Sequence, residues 1–175
     1  SEAQAYLGKY HYNGWGGLEE DEKQSLYWLS KSRKTKSGLA QFYLGKLRFF
    51  GWGTNRDIRK SLAWFRRSAD CGYKPAFYEV SSIYWSNGEL GNKHLAFHYA
   101  KLGAKKGCPK TQFLLGLMYE DPDMPFTDLS KAEYWYLQSA KQNHIPAYST
   151  LGWFYTDYVK EHEKALNWFS KGADE

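Results

Sequence analysis

The sequence has 175 residues, of which 42% are hydrophobic and 25% are charged, and only five are proline. This composition excludes a disordered or collagen-like chain. No apolar run approaches the roughly 18 residues that a membrane-spanning helix requires, so we expect no membrane insertion. Aromatic residues make up 19% of the chain, which is more than an average core needs and indicates that some rings lie on a contact surface.

The formal net charge of +5 is unevenly distributed along the chain. Residues 1–67 contain thirteen Lys and Arg against six Asp and Glu, whereas residues 68–175 contain eleven against thirteen. The N-terminal part is therefore the basic one. Such a field attracts acidic proteins, anionic lipid or nucleic acid, although many Lys-rich helix faces are solvated surface without a partner. The two cysteines cannot form a disulfide scaffold, so the compartment stays open.

Two short motifs recur five times along the chain, which is the signature of a repeat protein. The first is a residue pair, usually Leu-Gly, at Leu7-Gly8, Leu44-Gly45, Val80-Ser81, Leu115-Gly116 and Leu151-Gly152. The second is a small residue, an aromatic residue three positions later and another small residue five positions after that: Ser25/Trp28, Ser61/Trp64/Ala69, Ala96/Tyr99/Ala104, Ala132/Trp135/Ala140 and Ala165/Trp168/Ala173. Arg33 stands at the last small position of the first copy.

Each copy is predicted to form two helices, because apolar and small residues recur at intervals of three and four around a turn. The first helices are predicted at Ala3–Asn13, Leu39–Phe50, Pro75–Ser86, Pro109–Tyr119 and Pro146–Tyr155. The second helices are predicted at Glu22–Lys34, Ile58–Asp70, Lys93–Lys106, Leu129–Gln142 and Glu161–Lys171. Gly38, Gly72 and Gly107 follow second helices, where a left-handed backbone is expected to end them.

The glycine of each Leu-Gly pair has no side chain and lets two helices approach closely. A single helix pair cannot bury both of its faces, so neighbouring copies must stack. The sequence therefore predicts an all-α fold, a right-handed α-solenoid (α-α superhelix) of five helix-turn-helix repeats. They form a single repeat domain over 1–175, with repeats at approximately 1–38, 39–73, 74–108, 109–144 and 145–175.

These motifs resemble the Sel-one-like repeat (SLR) family, a relative of the tetratricopeptide repeat with a longer interhelical loop. The likeness rests on Ala-Gln-x-x-Leu-Gly at Ala3 and Ala40, on the glycine-containing loops and on the small-x-x-Trp motif, and it covers essentially the whole chain. The family tyrosine four residues after Leu is present at Tyr84, Tyr119 and Tyr155, whereas His11 and Arg48 replace it. The fourth loop, Asp121 to Asp128, departs from the family pattern because it lacks glycine.

The resemblance implies a scaffold or adaptor for protein-protein interaction, often bacterial and exported, with no catalytic residue to carry over. Within the family some members are immunity proteins that cap a toxic secreted effector, and others tether cell-envelope or signalling complexes. The sequence does not separate these roles. The resemblance favours the bacterial periplasm or export, with the cytoplasm as the alternative.

No residue cluster in the sequence predicts catalysis, a cofactor or a metal. His94 and His98 lie four apart on a predicted helix, but Leu95 stands where a zincin has its general-base Glu, and no third ligand is indicated. The acidic loop around Asp121 lacks the ligand spacing and central glycine of an EF-hand. We therefore expect a non-enzymatic protein without cofactors.

A partner surface is the better candidate, because one face of the first helices in such superhelices lines a concave groove. The residues predicted to bind a partner there are Lys9, Tyr12, Phe42, Lys46, Arg48, Phe49, Tyr78, Trp85, Phe113 and Trp153. Rings interleaved with a few cations suit a protein partner with an acidic surface or peptide segment. The alternative is that adjacent first helices bury these rings against each other.

A second function class is nucleic-acid binding, because pentatricopeptide-like arrays share the period of about 35 and the interleaved rings. Those arrays have short interhelical turns and read bases at fixed polar positions. Here the loops are long and the groove positions are mostly aromatic or apolar. No nucleic acid is therefore expected as the partner.

Overall fold

The computed structural model describes residues 1–32, 37–86 and 88–174, and every regular element in these ranges is a helix. The chain divides into two compact units, Ser1–Gly91 and Asn92–Glu175. The predicted all-α class is confirmed. Arg33, and the predicted end of the second helix at Lys34, lie outside the described residues.

The described part of the first unit contains five helices. They are α1 (Glu2–Asn13), α2 (Glu22–Ser32), α3 (Gly38–Phe50), α4 (Ile58–Asp70) and α5 (Lys74–Trp85). In this unit α1 packs against α2 and α3 packs against α4, while α3 also contacts α1 and α2, and α5 contacts α4. In this unit α1 and α3 thus pair with the helix that follows them, and α3 and α5 also pack on the preceding copy, as the stacking of copies requires.

The described part of the second unit contains five further α-helices and a π-helical turn. They are α6 (Lys93–Lys105), α7 (Pro109–Glu120), α8 (Leu129–Ala140), α9 (Ile145–Phe154), the π-helical turn Tyr155–Val159 and α10 (His162–Ala173). Here α7 packs against α6 and α8, and α9 packs against α8 and α10. The pairing of the first unit is therefore repeated.

The glycines of the Leu-Gly pairs lie where the two helices of a copy cross. A Cβ added to Gly8 would lie 2.5 Å from Leu29 Cγ, and one added to Gly116 would lie 2.5 Å from Tyr136 Cδ1. Gly45 faces the Phe65 ring and Gly152 faces the Phe169 ring in the same way. The glycine therefore makes room for one large side chain of the second helix.

Serine hydroxyls add a hydrogen bond to this crossing in the first unit. Ser25 Oγ donates to the Gly8 carbonyl and Ser61 Oγ donates to the Gly45 carbonyl, each at 2.9 Å. Both serines are fully buried, so the bond satisfies a hydroxyl that would otherwise be costly to bury. This explains why a small residue that is serine or alanine recurs at the position.

A backbone hydrogen bond joins the two ends of the interhelical loop in four copies. The N–H of the residue just before the second helix donates to a carbonyl near the end of the first helix. The pairs, at 2.8 to 3.0 Å, are Asp21 to His11, Asp57 to Arg48, Asp128 to Tyr119 and Glu161 to Tyr155. The accepting residues occupy the family tyrosine position. The bond uses the backbone carbonyl, so His11 and Arg48 serve as well as tyrosine.

Two local predictions need correction. Gly38 does not end a helix: it is the first residue of α3, where an added Cβ would lie 2.8 Å from Tyr73 Cβ, so close packing explains this glycine. Gly72 and Gly107 do have the predicted left-handed backbone, with φ of 78° and 76°. The last first-type helix does not stop at Tyr155 but continues as the π-helical turn to Val159, which Lys160 ends with a φ of 62°.

Candidate functional site

The first two interhelical loops both contain the sequence Gly-Trp-Gly, at 14–16 and 51–53. All four flanking glycines have a left-handed backbone, with φ between 60° and 80°, a conformation that side chains other than glycine rarely adopt. The two turns hold Trp15 and Trp52 at the surface, where they are 49% and 36% exposed.

Trp52 belongs to a group of rings that we call the ring surface, formed by Tyr12, Phe49, Phe50 and Trp52. Phe50 and Trp52 stack with centroids 5.0 Å apart. Tyr12 lies 5.2 Å from Trp52, and Phe49 lies 5.2 Å from Phe50. Tyr12 and Phe49 are half-buried, whereas Phe50 and Trp52 are exposed, which gives rigid apolar area that costs little side-chain entropy to order.

Phe42, which we expected beside these rings, is a core residue. Only 8% of it is exposed, and its ring contacts Tyr43, Phe65 and Tyr73 at centroid distances of 5.2 to 5.5 Å. The ring is thus buried against the second helix of its own copy and against Tyr73. Substituting Phe42 would test stability rather than binding.

The three predicted cations are each engaged within the first unit. Lys46 Nζ lies 2.7 Å from a Glu79 carboxylate oxygen and 5.6 Å from the Phe50 ring centroid. Arg48 donates a hydrogen bond to the Thr54 hydroxyl. Lys9 Nζ lies 4.8 Å from the Trp15 ring centroid. The pairing with Glu79 cancels the charge of Lys46 next to the ring surface.

Tyr78 and Trp85 are half-buried on α5. In the second unit Phe113 is half-buried between Tyr136 and His144, at centroid distances of 5.8 and 5.3 Å. Trp153 is 60% exposed and contacts Phe169. Of the predicted residues, Tyr12 and Phe49 thus belong to the ring surface, whereas Phe113 and Trp153 belong to the second unit.

Sequence reasoning missed Phe50 and Trp52, although both contribute more exposed ring area than Phe42. The groove positions are predicted from which residues share one face of a helix, and this rule does not apply to residues at or beyond a helix end. The signal that could have found Trp52 is the repeated Gly-Trp-Gly, because two glycines around a tryptophan predict a turn that presents the ring.

Burial is the main influence on the Tyr12 hydroxyl. Burial, followed by the neighbouring Tyr43, Glu79 and Glu20, raises the pKa of the Tyr12 hydroxyl to about 12. Burial and neighbouring carboxylates both disfavour the charged phenolate. Tyr12 therefore carries a neutral hydroxyl at the ring surface.

Among the residues that the structure describes, no group of three or more His, Cys, Asp or Glu is placed to hold a metal ion. His94 and His98 are exposed on α6. None of the described helices is long and apolar enough to cross a membrane.

The pattern of the Sel1 repeat matches residues 1–34, 38–73, 82–108, 109–144 and 151–175. The chain belongs to the Sel1 repeat family. The matched stretches follow the five copies in the sequence, and the protein is a helical scaffold of Sel1 repeats.

Two solved structures of the same fold resemble almost the entire chain. A protective antigen of uropathogenic Escherichia coli is 27% identical, with a TM-score of 0.87 over 99% of this chain and 38% of that protein. A Sel1 repeat protein from Oxalobacter formigenes is 26% identical, with a TM-score of 0.87 over 99% of this chain and 72% of that protein. This Sel1 repeat protein thus spans well under half of the first structure.

More distant likenesses concern the fold or a short stretch. An immunity protein from Pseudomonas aeruginosa is 18% identical, with a TM-score of 0.68 over 98% of this chain and 64% of that protein, which shows the fold alone. A curated relative, chitin synthase regulatory factor 3 of Schizosaccharomyces pombe, is 31% identical over 110 residues, covering 61% of this chain and 12% of that protein.

Proposed function

We propose that this Sel1 repeat protein is a non-enzymatic scaffold that binds another protein through the ring surface of its first unit. The observation that carries the proposal is the exposure of Phe50 and Trp52 beside Tyr12 and Phe49. Large rings held in place by a folded frame are typical of residues that dominate binding energy at protein interfaces. The family supports the same class of function, because Sel1 repeats mediate protein interactions.

The partner proposed from the sequence was an acidic protein or peptide. Lys46 is paired with Glu79, so the rings carry this proposal and the excess of basic residues contributes long-range attraction. Two cellular roles fit such a scaffold, an immunity protein that caps a secreted effector and a tether of a cell-envelope or signalling complex. The distant immunity protein shares only the fold, whereas the name of the fission-yeast relative, a regulatory factor, fits a role of the second kind.

The test is affinity capture of the partner followed by titration of single variants. We expect Phe49→Ala and Trp52→Ala each to weaken binding of the captured partner by roughly 1 to 3 kcal/mol, as truncation of a central aromatic anchor does. Tyr134→Ala is the matched control, because Tyr134 is an exposed ring on α8 of the second unit. Thermal melting of each variant separates lost contact from lost fold.

Two outcomes would overturn the proposal. The first is unchanged affinity in Phe49→Ala and Trp52→Ala variants that melt at the wild-type temperature. The second is tight binding of a single-stranded oligonucleotide that weakens steeply with salt, which would place the protein among the nucleic-acid-binding repeats instead.

A further inference from the structure

A small cavity opens beside the ring surface, between the first interhelical loop and Trp52 of the second. Its volume is about 160 Å³. Tyr12, Leu47 and Trp52 provide its apolar lining, and the Tyr12 and Trp52 rings are 5.2 Å apart at an interplanar angle of 40°. The two rings are in contact with each other and both border the cavity, and the face of each ring carries partial negative charge.

The remaining lining is acidic. Glu20, Asp21 and Glu22 line the cavity, and the residues around it include neither lysine nor arginine. Asp21 Oδ1 accepts from the Gln24 N–H and Glu22 Oε2 accepts from the Gly53 N–H, which fixes both side chains. None of the three carboxylates has an ion-pair partner within the described residues, and Glu20 also accepts no hydrogen bond there.

His11 adds a polar atom that also lacks a partner. Its Nδ1 is buried and is the one buried side-chain nitrogen or oxygen in the described ranges that forms no hydrogen bond. His11 lines the same cavity. A buried ring nitrogen without a partner is costly, and in the tautomer with Nδ1 unprotonated, a ligand that brings N–H groups into the cavity would satisfy it.

We propose that this cavity binds the guanidinium group of an arginine side chain from the partner protein. The proposal rests on the proposed function, since it assigns a chemistry to one contact within that interface. A guanidinium group is planar, stacks on aromatic faces and presents five N–H donors. It would stack on Trp52 or Tyr12, pair with Glu20 and donate to His11 Nδ1, which uses each unusual feature of the cavity.

The test titrates the isolated protein with N-acetyl-arginine amide and follows the Trp52 indole N–H signal by NMR. The Trp52 signal is assigned by its loss in Trp52→Phe. The control ligand is N-acetyl-citrulline amide, which has nearly the same shape without the charge. We expect saturable shifts with a dissociation constant of about 1 to 10 mM for the arginine compound and at least about tenfold weaker binding of the citrulline compound.

Variants locate the site. Glu20→Gln removes the unpaired carboxylate and is expected to weaken binding of the arginine compound about threefold to tenfold. Glu19→Gln is the matched control, because Glu19 is an adjacent exposed carboxylate that does not line this cavity. Both residues are exposed, so neither change is expected to alter the melting temperature.

Equal binding of the two compounds, or equal binding to Glu20→Gln and Glu19→Gln, would overturn the assignment. The result is independent of the partner. If the arginine compound fails to bind while Phe49→Ala still weakens the captured partner, the cavity assignment falls and the proposed function stands. If the compound binds while the ring variants leave partner affinity unchanged, the proposed function falls and the cavity still stands as a guanidinium site.

Discussion

The Gly-Trp-Gly loops of the first unit and the loop between α7 and α8 of the second unit place their apolar residues in opposite ways. In the first unit, Gly-Trp-Gly turns present Trp15 and Trp52 to solvent. In the second unit, the loop between α7 and α8 has no glycine and points its apolar residues inward: Met124 is 4% exposed, and the Phe126 ring stacks on Phe97 with centroids 3.7 Å apart. One loop type builds surface, and the other extends the core.

The inward loop is held by its own polar groups. Asp121 Oδ1 accepts from the Asp123 N–H at 2.9 Å, and the Asp121 carbonyl accepts from Thr127 Oγ1 at 2.6 Å. These bonds form a turn without a left-handed residue. The comparison shows that the same type of helix pair can carry a loop that exposes its rings or a loop that buries its apolar residues, and that the two loops differ in glycine content.

The largest expected effect on stability comes from disrupting the close helix crossing that occurs in the copies of both units. Gly116→Leu should destabilise the protein by about 3 kcal/mol or more, because the new side chain would begin 2.5 Å from the Tyr136 ring in a crossing with no room to relax. Urea unfolding measures this difference. Gly88→Ala is the control, since the nearest atom to its added Cβ is 3.9 Å away, and equal midpoints for the two variants would refute the crossing.

A smaller effect is expected from truncating the two loop types. Met124→Ala should lower the free energy of unfolding by about 2 kcal/mol, because it removes a buried side chain. Trp52→Ala should lower it by less than about 1 kcal/mol, because the Trp52 ring is partly solvated. Thermal or urea unfolding of the two variants sharpens the comparison, and a larger loss for Trp52→Ala would mean that its loop is structural as well.

The smallest expected effect on stability comes from the acidic N-cap residues just before two second helices, one in each unit. Hydrogen bonds from the Lys131 side chain and backbone lower the pKa of Asp128, and the Lys60 backbone and side chain lower that of Asp57. A lowered carboxyl pKa contributes stability that is present above about pH 4 and is lost as the pH falls through the folded-state value.

Asp128→Asn and Asp57→Asn should therefore lower the melting temperature slightly near pH 7 and approach the wild type near pH 3. Asparagine keeps the capping acceptor and removes the charge, so the variants isolate the electrostatic part. A difference in melting temperature from the wild type that stays constant between pH 7 and pH 3 would show that the carboxylate charge contributes nothing at either helix start.

The helices could be predicted from the sequence because each carries its own signal. Leu-Gly and the small-x-x-aromatic motif repeat in register, and the described helix ends lie within two residues of the predicted ones. Gly38 was misassigned because glycine is common just after helices, whereas here Tyr73 requires it. The π-helical turn at Tyr155–Val159 was missed because Tyr-Thr-Asp-Tyr-Val continues an ordinary helical pattern.

The candidate site was less predictable because its parts come from different copies. Lys46 was expected to supply charge, but its partner Glu79 lies in the next copy and cancels it. The cavity joins Glu20 in one loop to Trp52 in another. Neither contact follows from register within a copy, since both depend on the distance between stacked helix pairs.

The hydrogen bond from Asp21, Asp57, Asp128 and Glu161 to the end of the preceding first helix has a consequence for engineering. The bond joins the two ends of each loop through backbone atoms alone, so it does not depend on the side chains between them. Eight residues lie between the bonded residues in both the second and the fourth copy, 49–56 and 120–127. The two segments could therefore be exchanged with the bond kept, provided that the apolar residues of 120–127 find new neighbours.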